Sequence, residues 1–509
     1  MTQRPMRRVL IANRGEIALR IIRACRDEGL ETVAVYSDAD AKALFVRAAD
    51  QAIRIGPASP GESYLRIDAL LDAARVSGAD AIHPGYGFLS ERAAFAQAVT
   101  DAGLIFIGPP ASAISAMGDK TSARRLMSAA GVPIVPGSTA SLSDPVEAAA
   151  VAKEIGYPVL VKAAAGGGGK GMRIVREPSE LADALTTASR EATKAFGDGA
   201  VYLEKYIELP RHVEIQILAD HERTIHVGER ECSVQRRHQK LLEEAPSVAV
   251  DAELRERMGA AAVAAGAAVG YRGAGTCEFL LAANGDFYFL EMNTRIQVEH
   301  PVTEQVYGVD LVREQLRIAR GLPMSIPRGP LVPRGWAIEC RITSEDPANG
   351  LLPSAGTIRW MRAPSGPGVR WESGVESGSE VTLFYDSMLA KLIVHAADRP
   401  RAIETMRRAL RELSVVGVAT NVPFHLQLLS DPDFERGAID IQFLERRPDL
   451  LAAPEDEATL VRIAVAAALL AEDRRVSRRP VAGAPTAPGR GAAVAADGWT
   501  RAARRDALR

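Results

Sequence analysis

The sequence predicts a multidomain chain, α/β at its start and mixed α+β beyond, and three features carry that expectation. Its 509 residues, 47% of them hydrophobic, suffice for several packed cores. The N-terminal part alternates short apolar runs with helical periodicity, the pattern of a parallel sheet with crossover helices. Farther along, Gly- and Pro-rich punctuation separates a charged, amide-rich block from one dominated by β-like runs.

In the first block, 1–117, Arg8 to Asn13 reads as a strand, followed by a helix reaching Gly29, a strand from Thr32 to Ser37, a helix around Tyr64 to Val76, and a strand from Ala79 to Pro84. The first turn, Asn13-Arg14-Gly15-Glu16, is not GxGxxG, so a dinucleotide site is poorly supported. The second block, 118–322, carries a Gly-rich turn, several strands, and an Ala-rich buried helix from Met258 to Val269. After the Pro-rich segment 323–333, the third block, 334–446, shows β runs at Trp336 to Thr343, Gly356 to Met361 and Lys391 to Ala396, then an amphipathic helix from Ala402 to Leu413. The remainder, 447–509, reads as a helical extension, a disordered Pro/Ala/Arg-rich linker from Arg474 to Gly498, and a short basic end that forms a docking helix or frays.

Sixty-two Lys and Arg against sixty-four Asp and Glu leave a net charge of −2, which draws the chain to neither nucleic acid nor an anionic membrane. Cys25, Cys232, Cys277 and Cys340 are too scattered for a disulfide framework or a structural zinc site, and a reducing cytoplasm fits them. Neither an export signal nor a run long enough to span a bilayer is visible.

The chemistry concentrates in the second block. Lys162-Ala-Ala-Ala-Gly-Gly-Gly-Gly-Lys170 joins two strand-like runs, so its glycines form a hairpin tip whose amides can approach phosphate oxygens between two lysines; a merely flexible tip is the competing account. It is not a Walker A loop. Glu278 and Glu291 flank an Asn284-Gly285 turn, which favours a hairpin setting the two carboxylates side by side with Asn293 near, an oxygen set suited to Mg²⁺. A solvated strand face is disfavoured because both acids interrupt apolar runs. In Arg295-Ile-Gln297-Val298-Glu299, an extended backbone would send the alternate cation, amide and base to one side, able to grip a small oxyanion and take its proton; a salt-bridged surface turn would look similar. The run from Glu229 to Lys240, with Gln235 and His238, together with the preceding Pro210 to Glu214, suggests a ribose and phosphate pocket rather than a nucleic-acid groove, which would want aromatic platforms; a solvated face is the competing account.

Together with IANRGEIALRI, AIHPGYGFLSE, FIGP, MGDK, KAAAGGGGKGM, PRHVEIQ, CSVQRRHQK, GYRGAGTCEFL, EMNTRIQVEHPVTE, ECRI and FYDSM, these segments resemble the ATP-grasp biotin carboxylases up to about Leu444. The resemblance implies a Rossmann-like N-terminal domain, an ATP-grasp domain with its lid, and a C-terminal mixed α+β domain. It implies that ATP is held by Lys120, Lys162, Gly168, Gly169, Glu204, Lys205, Tyr206, Ile207, His212, Gln235, His238, Leu280 and Ile441, and Mg²⁺ or Mn²⁺ by Glu278, Glu291 and Asn293. Lys240, Arg295, Gln297 and Val298 would contact bicarbonate, Glu299 would deprotonate it, Arg341 would stabilise the biotin enolate, and Tyr86 would contact biotin. Carboxyphosphate would form and release CO₂. Ala163-Ala164-Ala165 stands where many relatives carry Ser or a further Gly. No Met-Lys-Met is present, so biotin would arrive on a separate carrier protein and pass its carboxylate to a carboxyltransferase, the chain itself pairing as a homodimer. The acceptor would be an acyl-CoA, with pyruvate or a different ATP-grasp ligation as alternatives.

Overall fold

The computed structural model describes residues 6–138, 142, 144–163, 172–196, 199–451 and 465–472. The chain divides into a compact unit, Met1–Ala453, and a second, Pro454–Arg509, in which a helical stretch at 465–472 is described. The expected linker and the expected docking helix lie outside the described residues.

The N-terminal block is the α/β sheet that the alternating pattern predicts. Strands β1 (Arg8–Ile11), β2 (Glu31–Ser37), β3 (Gln51–Gly56), β4 (Ala81–His83) and β5 (Ile105–Phe106) pair in parallel in the order β3-β2-β1-β4-β5. Helices Gly15–Asp27, Ile67–Ser77 and Ala93–Asp101 return the chain between strands. Tyr64 precedes its expected helix, buried with its hydroxyl donating to Asp40 at 2.6 Å, and the helix begins at Ile67. The order reverses between β1 and β4, and a crevice opens beyond the carboxyl ends of strands at such a switch point. There Asn13 Nδ2 ties the two loops by donating to the Pro84 and Tyr86 carbonyls, each at 2.7 Å.

A small antiparallel sheet follows, made of β6 (Val159–Ala163), β7 (Arg173–Val175) and β8 (Val201–Lys205) in the order β7-β6-β8. The β6–β7 hairpin is the predicted one; its glycine tip, 164–171, lies outside the described residues.

The third sheet dominates. It contains β9 (Arg211–Ala219), β10 (Thr224–Arg236), β11 (Gln239–Ala245), β12 (Gly273–Leu281), β13 (Phe287–Asn293) and β14 (Trp336–Thr343), with strands Met388–Ala396 and Val369–Ser373 beyond. Its order is β13-β12-β9-β10-β11-β14, then Met388–Ala396, then Val369–Ser373. Because β11 pairs with β14 over Leu242↔Cys340 to Ala245↔Ala337, hydrogen bonding continues across the Pro-rich segment. Helix Ala252–Ala268 covers one stretch of the sheet through Met258, Ala262 and Ala265. Helix Arg399–Glu412 covers the other through Ile403, Met406 and Leu410. The expected β run from Gly356 to Met361 is instead two short strands, Gly356–Thr357 and Trp360–Arg362, with different partners: Glu380–Val381 and Ser414–Val416. The chain changes partner at the buried Ile358, whose N–H donates to Ser379 while that of Arg359 donates to Val416.

Candidate functional site

A cavity of about 980 Å³ is bordered by the loops after β1 and β4, by Lys162 and Tyr202 of the small sheet, and by β9 to β14. Of the residues expected to carry chemistry, Tyr86, Lys162, His212, Gln235, His238, Lys240, Glu278, Glu291, Asn293, Arg295, Gln297, Val298, Glu299 and Arg341 all line it.

The strand registers bring them together. Glu278 on β12 stands opposite Glu291 on β13, as the Asn-Gly turn predicts, and opposite Glu214 on β9. A register shift follows at Phe279↔Phe289, so Leu290 is extra and the hairpin bulges beside the carboxylates. Glu278 Oε1 accepts from Lys240 at 2.9 Å, Asn293 at 2.9 Å and Gln297 at 2.8 Å, and Oε2 lies 3.1 Å from His212 Nε2. Burial disfavours its charge, but Lys240 and His212 outweigh burial and hold Glu278 well below the usual carboxylate range.

Lys240, just past the β10–β11 turn, is the hub. Its ammonium donates to Glu214 at 2.5 Å, Glu278 at 2.9 Å and Glu299 at 2.7 Å. Glu299 takes a second cation from Arg341, at 3.0 Å, and Arg341 also donates to Glu243 at 2.6 Å. Burial opposes the Glu299 charge, yet Lys240, Arg341 and Arg230 together hold this carboxyl below its ordinary range. Glu243 goes the other way: burial foremost, relieved by Arg341 and aggravated by Glu299, pushes it up to about 7.

The segment from Arg295 to Glu299 is not the extended strand expected. β13 ends at Asn293, and Glu299 caps helix His300–Tyr307 with φ −81° and ψ 8°. The three side chains still reach one cavity, because bends replace the strand's alternation. Arg295 donates to Glu91 at 2.8 Å and Asn293 at 2.8 Å. The Gln297 amide is engaged within the protein, accepting from Arg230 at 2.8 Å and donating to Glu278.

The run from Glu229 to Lys240 is a β-hairpin rather than one basic pocket, turning at Arg237 and His238 with φ 50° and 64°. Strand alternation divides it: Gln235, His238 and Lys240 border the cavity, while Glu229 pairs with Arg255 at 2.6 Å. Arg230 is fully buried and holds Gln216, Thr303, Thr276 and Gln297.

Other expected nucleotide contacts stand off the cavity wall. Glu204 on β8 pairs with Lys162 and Arg124. Lys205 donates to the Gly156 and Tyr157 carbonyls at 3.0 and 2.9 Å. Gln442 donates to the Tyr206 hydroxyl at 3.1 Å, Ile207 follows in the loop, Leu280 faces His212 across the sheet, and the Ile441 N–H donates to Pro210 at 3.0 Å. The Lys120 side chain, Gly168 and Gly169 lie outside the described residues.

Among the described residues, three placements compete for a divalent cation. His212, Glu214 and Glu278, and likewise Glu214, Cys232 and Glu299, bring ligand atoms within 4.8 Å of one another, but the Lys240 ammonium already rests on all three of these carboxylates. The Glu278–Glu291 pair with Asn293 Oδ1 offers, at the cavity edge, the hard oxygen donors that Mg²⁺ or Mn²⁺ takes; Lys240 on Glu278 and Arg295 on Asn293 would have to give way to the cation. Arg230, Glu243 and Glu16 escaped the sequence reading as site residues, and Glu214 entered it only with the run from Pro210; the alternation of Glu214 and Gln216 with Val213, Ile215 and Ile217 could have marked Glu214 as buried.

Three family descriptions match in succession: "Biotin carboxylase, N-terminal domain" over residues 5–114, "Carbamoyl-phosphate synthase L chain, ATP binding domain" over 119–326, and "Biotin carboxylase C-terminal domain" over 339–446. Biotin carboxylase 1 of Bacillus subtilis is 53% identical over 442 residues, 86% of this chain and 98% of that protein. A pyruvate carboxylase subunit of Methanothermobacter thermautotrophicus is 53% identical over 439 residues, 86% of this chain and 89% of that protein. A crystal structure of a biotin carboxylase–beta-gamma-ATP complex from Campylobacter jejuni superposes with a TM-score of 0.81 at 48% identity, covering 87% of this chain and 99% of that one. The biotin carboxylase domain dimer of Hydrogenobacter thermophilus 2-oxoglutarate carboxylase, with MgADP, ADP and bicarbonate, gives 0.81 at 47% identity, covering 89% and 100%. With its parallel sheet, its small antiparallel sheet and its carboxylate-lined cavity all in this frame, the chain belongs to the biotin carboxylases, ligases of the ATP-grasp fold.

Proposed function

We propose that the cavity carboxylates biotin held on a separate carrier protein, using MgATP and bicarbonate, as the first half-reaction of an acyl-CoA carboxylase acting on acetyl-CoA or propionyl-CoA. The observation that carries the reading is the Lys240–Glu299–Arg341 junction: one carboxylate between two cations, at the floor of a cavity large enough for nucleotide and a ureido ring. Domains at 1–117, 118–322 with its lid at about 134–204, and 334–446 supply its walls.

In this arrangement Glu299 is a poor base, because both cations stabilise its charge. Bicarbonate gripped by Lys240, Arg295, Gln297 and the Val298 backbone draws the Lys240 N–H away from Glu299. Its proton affinity then rises at the moment when a proton must be accepted. The deprotonated oxygen attacks the γ-phosphate, giving ADP and carboxyphosphate, which releases CO₂; the freed phosphate accepts the biotin N1′ proton. Arg341 meets the enolate charge that appears only then, and Tyr86 borders the same space. Glu278, Glu291 and Asn293 hold the divalent cation, which supplies charge neutralisation for the phosphates. Lys120, Lys162, Gly168, Gly169, Glu204, Lys205, Tyr206, Ile207, His212, Gln235, His238, Leu280 and Ile441 surround the nucleotide once the lid closes, excluding water from carboxyphosphate.

The purified chain hydrolyses ATP only with bicarbonate, and faster when free biotin is added; bicarbonate-independent hydrolysis defeats the assignment. A carboxylase acting on pyruvate is the second reading, favoured by the Methanothermobacter relative's name. The carboxyltransferase that co-purifies with the chain decides between them.

A further inference from the structure

Lys391 sits outside every role assigned so far. It lies on strand Met388–Ala396 directly opposite Arg341 on one side and Glu372 on the other. Its side chain is 0% exposed, which is tolerated only where an ammonium is paired and hydrogen-bonded. Three oxygens surround it: the Val298 carbonyl at 2.9 Å, Glu372 Oε2 at 3.1 Å and Glu16 Oε2 at 3.3 Å. Glu16 in turn accepts the Tyr86 hydroxyl. The neighbouring carbonyl, of Gln297, is held by His300 Nδ1 at 2.7 Å. Adjacent strands therefore send two cations to one turn, Arg341 to the Glu299 carboxylate and Lys391 to the backbone just before it.

Resting on the reading above, we propose that Lys391 is a positioning residue for the anion half of the reaction. By fixing the Val298 carbonyl it sets the Val298 backbone that bicarbonate contacts, and through Glu16 it holds Tyr86 at the biotin side. One buried cation thus keeps both substrate positions in register, and it touches neither substrate.

The test replaces the ammonium with a group of similar length that cannot donate, Lys391→Met. It is paired with Lys391→Met/Glu372→Gln, which leaves one stranded carboxylate fewer and keeps the test available if the single variant folds poorly. The expected result for the folded variants is a KM for bicarbonate raised by about tenfold or more, the order lost with one charge-assisted hydrogen bond, while KM for MgATP moves by less than about twofold. Glu16→Gln, which keeps an acceptor for Tyr86 but weakens the tie to Lys391, raises KM for free biotin with a smaller effect on bicarbonate. A fall in kcat with every KM unchanged overturns the proposal, because it is the signature of a merely structural lysine. Should the unsubstituted chain show no bicarbonate-dependent turnover, the carboxylase reading itself falls, a failure visible before any variant is compared.

Discussion

Glu299 illustrates how a residue's surroundings set its chemistry. Glu299→Gln keeps an acceptor for Lys240 and Arg341 but cannot take a proton, so turnover falls by about 10²- to 10⁴-fold while MgATP affinity, measured by titration, stays near that of the parent. Retained turnover removes Glu299 from the base role. Arg341→Ala lowers biotin carboxylation more than bicarbonate-dependent ATP cleavage, and equal losses contradict the enolate assignment. Stability follows pH through the same cluster. Glu243 and Glu16 are both pushed up to about 7 by burial first, from an ordinary value of 4.5. Between those values the native state binds more protons than the unfolded chain, so their contribution to stability falls as pH rises. Glu299 and Glu372 are held low, so theirs is complete above the ordinary carboxylate range and is lost only in stronger acid. Glu243→Gln flattens the decline of the melting temperature from pH 4.5 to 7; an unchanged slope shows that Glu243 is ionised throughout. Among single residues, sequence found those in dense motifs and passed over Lys391, a lone lysine in a strand whose only other polar side chain is His395. Its significance depends on Glu16, which the sequence separates from it and the fold returns.

At the level of the element, the legible features were those fixed by neighbours in the chain. The Asn284-Gly285 turn sets the Glu278↔Glu291 pairing, and the alternating runs set the parallel sheet. The partner exchange at Ile358 and the bends after Asn293 were not legible, because distant strands and a helix start dictate them. A third such feature is the irregularity in β10 between His226 and Glu229. Gly228 there has φ +69°, and a Cβ would stand 1.8 Å from the Tyr307 hydroxyl of helix His300–Tyr307. Gly228→Ala therefore costs about 1–3 kcal/mol in denaturant unfolding. Since Glu299 caps the start of that helix, reduced activity in the folded fraction accompanies the loss; unaltered stability disproves the clash.

For the molecule as a whole, no helix among the described residues is long and apolar enough to cross a membrane. A homodimer in solution is the proposed assembly, checked by light scattering as twice the chain mass, and a monomeric mass at working concentration contradicts it. The eight strands that run without interruption from β13 to Val369–Ser373 have a practical outcome for anyone dividing the gene. A cut in the Pro-rich segment 323–333 looks harmless in sequence, but it parts β11 from β14 and bares two edges of unsatisfied amides and carbonyls. Expressed apart, the halves aggregate; expressed in the same cell, they recover each other.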